Sequence, residues 1–271
     1  MNFSETWTGN WENAFRGLRH PMESYARSDS DFGIGDCYEW LGSCRNEVAY
    51  SYCPEGHEDE NWYKIDEWLA MNGELRFGKY AGEYAYIGKN DLDLAQRMIK
   101  AGSPNDKFLR QILVSVDITG PLYWWKELDT YKVATVANST STMHKLASTP
   151  ITLDCFETDD YDSTLVLEEG QEVQRMTTFE DEPISWGVNS IIHFCERLRQ
   201  KYLETKDIRY WKELIRWLPE SWLQTRAWSA NYATLRNIIH WRRGHRLSEW
   251  AQFIEWCKTL PYSEELLFYE Q

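Results

Sequence analysis

The sequence predicts an α/β (α+β) protein with a central sheet and a helical C-terminal third. Residues 112–118 alternate between apolar and other side chains, which is the period of a half-buried strand. Helical periodicity precedes this segment and dominates the chain after residue 184. With 271 residues, 42% of them hydrophobic, the chain can bury one sizeable core. We therefore expect a single domain over residues 1–271.

Regular elements are predicted in the chain after residues 36–83. A helix is predicted over 90–101, because apolar residues recur there at spacings of three and four. The strand over 112–118 is stopped by Gly120-Pro121, and a second helix is predicted to start near Leu122. Residues 36–83 show no sustained period, so we expect an insertion or a small accessory layer there.

The last third of the chain is predicted to be helical. The expected helices span 184–204, 207–218, 221–243 and 248–260. Between residues 197 and 246 there are twelve Lys or Arg and four Asp or Glu. This local surplus is typical of a solvated helix face, and it is also compatible with a pocket for a small phosphorylated ligand.

The net charge of −14 is distributed unevenly. Residues 154–182 contain eleven acidic side chains and one basic side chain, so most of the charge lies in that segment. An acidic field repels phosphate-rich polymers, so long nucleic acids are not expected partners. A single nucleotide phosphate in an arginine-lined pocket remains compatible with it.

Cysteine usage and hydropathy favour the cytoplasm. The six cysteines are thinly spread, no apolar run approaches the length of a membrane span, and the first seven residues lack the basic and apolar regions of a secretory signal. Cys37, Cys44, Cys53 and His57 lack the close cysteine pair of a zinc knuckle, so no metal is expected. Neither a membrane nor a metal therefore enters the expected function.

Three polar residues stand out in the predicted helix over 221–243. Asn231 and Arg242 are eleven residues apart, which is about three helical turns, so a continuous helix would place both on one face. Asn237 would lie roughly 120° around that helix from Asn231. The spacing alone does not distinguish a ligand site from a solvated face.

The order of these residues resembles the C-terminal region of flavin-dependent thymidylate synthases. The resembling residues are Arg216 with Leu218-Pro219, Thr225-Arg226, Trp228, Asn231, Asn237 and Arg242. The helix ending at Gly102-Ser103-Pro104 and the strand leading to Pro121 also match the family's order, so the resemblance covers about residues 88–260. At the family's Arg-His-Arg signature this chain has Tyr131-Lys132-Val133, with Ser141 following after seven residues. The signature is therefore degenerate.

The resemblance implies a specific chemistry. Members of the family are homotetramers that bind FAD, take hydride from NADPH and use methylenetetrahydrofolate to methylate dUMP at C5. Carried over residue by residue, the nucleotide-binding set is Arg216, Arg242, Gln224, Arg226 and Ser141, and the flavin-binding set is Lys132, Asn138, Asn231 and Asn237. Arg242 and Ser141 would also act in catalysis. His144, a base near neutral pH, is a further catalytic candidate, although a histidine beside Lys145 is also typical of an exposed position.

The altered signature leaves a second function class open. The replacements remove both arginines and the histidine, and Lys132 is the one cation that remains in the triplet. A non-catalytic relative that binds a nucleotide, as a sensor or interaction protein, would tolerate this loss. An enzyme would carry out methylation or a related one-carbon transfer at C5.

Overall fold

The computed structural model describes residues 1–34, 83–141, 146–158 and 186–270. The expected insertion over 36–83, except for Glu83, and most of the acidic segment therefore lie outside the described residues. The described strands are β1 (Asn2–Gly9), β2 (Asp31–Ile34), β3 (Glu83–Tyr86), β4 (Leu113–Pro121), β5 (Val136–Ser139) and β6 (Leu223–Asn231). The described α-helices are α1 (Trp11–Arg19), α2 (Lys89–Ala101), α3 (Leu122–Leu128), α4 (Trp186–Thr205), α5 (Ile208–Trp217), α6 (Tyr232–Arg242) and α7 (Ser248–Lys258).

Four of the described strands form the main sheet in the order β1-β4-β6-β5, and β2 pairs with β3 in an antiparallel ribbon. Side-chain hydrogen bonds mark the register of β4 against β6. Ser115 lies 3.1 Å from Ser229, and Thr119 lies 2.7 Å from Thr225. Four residues forward on β4 correspond to four residues backward on β6, so the two strands are antiparallel. The predicted α/β (α+β) class is confirmed.

The predicted strand over 112–118 is confirmed as the start of β4. Its alternating apolar residues, Ile112, Val114, Val116 and Ile118, are each at most 1% exposed. Successive side chains of a strand point to opposite faces, so this alternation places one continuous face in the core. The neighbouring strand β6 buries Trp228 and Ala230 in the same alternating manner.

The predicted helix over 221–243 is wrong in its first half. Residues Leu223–Asn231 form strand β6, and the helix α6 begins only at Tyr232. Pairing with β4 overrides helical propensity, since it satisfies the backbone groups of this segment and buries its alternate side chains. The expected shared helix face of Asn231 and Arg242 is therefore also wrong. Asn231 instead precedes α6, and its side-chain oxygen accepts a hydrogen bond of 2.9 Å from the Thr234 backbone N–H.

The chain divides into two compact units that interleave along the sequence. One contains Met1, Thr119–Asp129 and the described residues within 139–226, and the other contains the described residues within 2–118, Thr130–Asn138 and 227–270. The single domain over 1–271 remains a prediction. None of the described helices is both long enough and apolar enough to cross a membrane.

Each unit has its own core. In the first, Leu146, Phe156, Cys195 and Leu214 belong to one buried cluster. In the second, aromatic rings pack around the start of α6, where Tyr232 is fully buried and its ring centroid lies 5.3 Å from that of Trp11. The Tyr232 hydroxyl donates to the carbonyl of Pro261 at 2.6 Å. These contacts fix the N-terminal end of α6, which carries the site described next.

Candidate functional site

A cavity of about 470 Å³ lies at the N-terminal part of α6. This volume is within the range of small-molecule sites. Its described lining residues all belong to the second unit: Arg110, Thr130, Tyr131, Lys132, Val133, Ala134, Asn231, Ala233, Thr234 and Asn237. Three of the four residues predicted to bind flavin, Lys132, Asn231 and Asn237, are thus brought together. The fourth, Asn138, is exposed in β5 and is not among the described residues that line the cavity.

The loop over 130–134 forms one wall of the cavity. Ala134 has a φ of 57°, so the loop turns through the left-handed region at that residue. The Thr234 hydroxyl donates to the carbonyl of Val133 at 3.2 Å, and the Thr135 hydroxyl donates to the carbonyl of Tyr131 at 2.5 Å. These bonds join the loop to α6 and fix its own turn.

The two cavity asparagines are oriented by hydrogen bonds within the chain. The Asn231 Oδ1 caps α6, and the Asn237 Oδ1 accepts from the Trp241 Nε1 at 3.1 Å. These bonds fix which way each amide faces, and the Nδ2 group of each is the one that can donate to a ligand. The arrangement suits a ligand that presents hydrogen-bond acceptors.

Arg242 is held by aromatic side chains. Its guanidinium carbon lies 4.5 Å from the ring centroid of Trp250 and 5.4 Å from that of Tyr131, and its Nε donates to the Tyr131 hydroxyl at 3.0 Å. Because Tyr131 lines the cavity, Arg242 supports the wall of the cavity through this contact. Sequence reasoning treated Tyr131 only as a replaced signature residue and missed this pairing, since 111 positions separate the two residues.

Gln224 and Arg226 form a polar network in the first unit. The Arg226 guanidinium lies 4.3 Å from the ring centroid of Trp125 and contacts both carboxylate oxygens of Asp129 at 3.0 Å. Its Nε donates to the Gln224 Oε1 at 2.9 Å, and the Gln224 Nε2 donates to the carbonyl of Thr140 at 2.9 Å. The network holds the residues that precede Ser141.

The remaining predicted residues lie on different elements of the chain. Arg216, on α5, is 51% exposed and forms an ion pair with Glu213. Ser141 is half-buried in the first unit, whereas Arg242 belongs to the second. His144 lies outside the described residues.

Sequence reasoning also missed Arg110, which ends the 3₁₀ helix Asn105–Arg110 and lines the cavity. No motif of the sequence singles it out. Among the described residues, no group of three or more His, Cys, Asp or Glu could hold a metal ion.

No protein-family model and no curated protein matches the chain. Solved structures do match. Two crystal structures of the flavin-dependent thymidylate synthase ThyX from Helicobacter pylori, both with FAD and dUMP, have TM-scores of 0.53 and 16% sequence identity to this chain. One alignment covers 99% of this chain and 98% of the ThyX chain, and the other covers 100% of both. The fold is ThyX-like. The resemblance seen in the sequence is therefore matched at the level of the fold, over the full length of both chains.

Proposed function

We propose that the protein is a flavin-dependent enzyme of the thymidylate synthase type, which transfers a one-carbon unit to C5 of a pyrimidine deoxynucleotide monophosphate such as dUMP. The observation that carries this proposal is the cavity at α6. There, a fold similar to proteins solved with FAD and dUMP brings Lys132, Asn231 and Asn237 together. These are residues that the resemblance relates to the flavin.

The donor set of the cavity fits a flavin nucleotide. The Nδ2 groups of Asn231 and Asn237 can donate to the polar edge of a flavin ring, and the hydroxyl oxygens of Thr130 and Thr234 can accept from it. Lys132 supplies positive charge for phosphate. When bound, the flavin would supply hydride or carry the one-carbon unit. NADPH and methylenetetrahydrofolate are the co-substrates in this proposal.

Two arginines of the proposed nucleotide-binding set differ in how easily they can exchange their present partner for a phosphate. Arg216 is paired with Glu213 at the surface, and such a pair contributes less than about 1 kcal/mol, so an incoming phosphate can displace the carboxylate. Arg226 is only 15% exposed and is stacked on Trp125. We therefore assign phosphate binding to Arg216 and the positioning of Gln224 to Arg226.

Catalysis in this proposal needs no cysteine nucleophile. A fixed arginine stabilises the negative charge that develops on the pyrimidine, and this is the role assigned to Arg242. Its aromatic contacts keep the guanidinium in one orientation. Ser141 and His144 complete the proposed catalytic set. A homotetramer in the cytoplasm is the proposed working form.

The visible absorbance spectrum of the purified protein is the first test. We expect bound oxidised flavin, a rise in unfolding temperature with FAD plus dUMP, and release of tritium from dUMP labelled at C5 when the co-substrates are added. A colourless protein that gains no thermal stability from FAD and dUMP would contradict the proposal. Nucleotide binding without tritium release would favour the non-catalytic relative.

The variant Asn237→Ala tests whether the flavin binds in the α6 cavity. The variant removes one amide donor from the cavity, so FAD affinity should fall by roughly tenfold, as expected for about 1 kcal/mol or slightly more. The matched control is Asn90→Ala, since Asn90 is an exposed helical asparagine on α2. Equal FAD affinity in the two variants would place the flavin elsewhere.

A further inference from the structure

The α6 cavity is positively charged within an acidic chain. Its ten described lining residues include two cations, Arg110 and Lys132, and no carboxylate, although the chain as a whole carries −14. Both side chains are exposed to solvent. A concave surface with this lining attracts anions.

The arginines singled out by the sequence each contact other side chains of the chain already. Arg242 is stacked on aromatic rings, Arg226 is paired with Asp129 and Arg216 is paired with Glu213. In contrast, none of the ion pairs between described residues includes Arg110 or Lys132. An incoming anion would not have to displace a described carboxylate from either cation.

We propose that Arg110 and Lys132 form an anion-binding pair that holds the phosphate groups of the ligand in this cavity. The ligand's identity as a flavin nucleotide rests on the proposed function. Arg110 presents several fixed N–H donors that match phosphate oxygens, and Lys132 adds a compact charge. Arg110 thus supplies the second cation that the Tyr131-Lys132-Val133 triplet lacks.

A comparison of the affinities for three flavins distinguishes binding of the phosphates from binding of the ring system. Riboflavin has no phosphate, FMN has one and FAD has two, while the ring system is the same in all three. We expect Arg110→Gln to weaken FMN and FAD binding by at least about tenfold and riboflavin binding by less than about twofold, measured by quenching of flavin fluorescence. Arg110→Lys should restore part of the loss, and added salt should weaken FAD binding less in Arg110→Gln than in wild type.

Lys107→Gln is the matched control. Lys107 lies three residues before Arg110 in the same 3₁₀ helix, is exposed, and is not among the described lining residues. Side chains three residues apart in such a helix lie on the same side, so the control removes a nearby charge outside the cavity. Its flavin affinities should equal those of wild type. An equal loss of FAD affinity in both variants would overturn the proposal, since it would show a general charge effect.

Inorganic pyrophosphate tests the pair independently of the flavin. We expect calorimetric binding to wild type and loss of that binding in Arg110→Gln. If pyrophosphate binds in this way but no flavin binds, the proposed function fails and the anion-binding pair stands. If FAD binds and Arg110→Gln leaves the ratio of FAD to riboflavin affinity unchanged, the pair is refuted while the proposed function stands. If neither pyrophosphate nor any flavin binds wild type, both are refuted.

Discussion

Asp91→Ala should be severely destabilising. Asp91 is fully buried in α2 and accepts three hydrogen bonds of 2.6 Å, from the Arg19 Nε and from the hydroxyls of Ser28 and Ser30. Truncation leaves the Arg19 guanidinium, which is 6% exposed, without its counter-charge. Breaking a buried pair in this way costs about 3–5 kcal/mol, a large part of the 5–15 kcal/mol that typically stabilises a protein. In urea denaturation we expect this loss in the free energy of unfolding, with a midpoint lower by roughly 1 M or more.

A second pair on the same helix provides the control. Arg97 and Asp93 form an ion pair of the same residue types, but their side chains are 63% and 66% exposed. Asp93→Ala should cost no more than about 0.5 kcal/mol, because solvent already stabilises both charges. If the loss in the free energy of unfolding of Asp91→Ala is within 1 kcal/mol of that of Asp93→Ala, the assigned role of burial is wrong. Replacing Arg19 and Asp91 together by Met and Leu should recover much of the loss, since no buried charge then remains unpaired.

Three other changes give distinct readouts. Arg242→Ala removes contacts with Tyr131 and Trp250 and should cost about 2 kcal/mol of stability. In an active enzyme it should also slow tritium release by roughly 10²- to 10³-fold, whereas an unchanged rate would exclude a catalytic role. Arg236→Met removes a donor to three carbonyls of the C-terminal segment. It should cost about 3 kcal/mol and speed amide hydrogen exchange there, and unchanged exchange would contradict this. Burial raises the pKa of the Cys195 thiol from 9.0 to about 11, so its stabilising contribution is complete below the unfolded pKa and is lost as pH rises toward 11. Between pH 8.5 and pH 11, the free energy of unfolding of Cys195→Ala should fall by about 2–3 kcal/mol less than that of wild type. An equal fall in both proteins would refute the assignment.

Local pattern was sufficient where apolar residues recur at the period of the element. The predicted strand over 112–118 and the helix α2 follow from alternation and from helical spacing, and the structure confirms both. Strand β6 was not predicted, because polar residues such as Gln224 interrupt its apolar alternation. Its hydrogen-bonded neighbours are also remote in sequence, with 106 positions between Thr119 and Thr225. Nothing local indicates that such a partner strand exists.

The family resemblance identified polar residues, some of which the structure places at the cavity, but not the contacts that each of them makes. Asn231 and Asn237 do reach one cavity, although Asn231 does so from the end of a strand rather than from a helix face. The partners of Arg242 and Arg226 come from distant segments, so no spacing rule could reveal that both guanidinium groups are stacked on aromatic rings.

The sequence by itself determined the fold class, the uneven distribution of charge and the order of the family-like motifs, because these depend on composition and on periods of a few residues. Only the tertiary structure decided which cations remain available to a ligand. Availability depends on burial and on partners brought from far along the chain. One arginine, Arg242, therefore donates a hydrogen bond to a tyrosine of the same chain, whereas another, Arg110, lines the cavity as a cation.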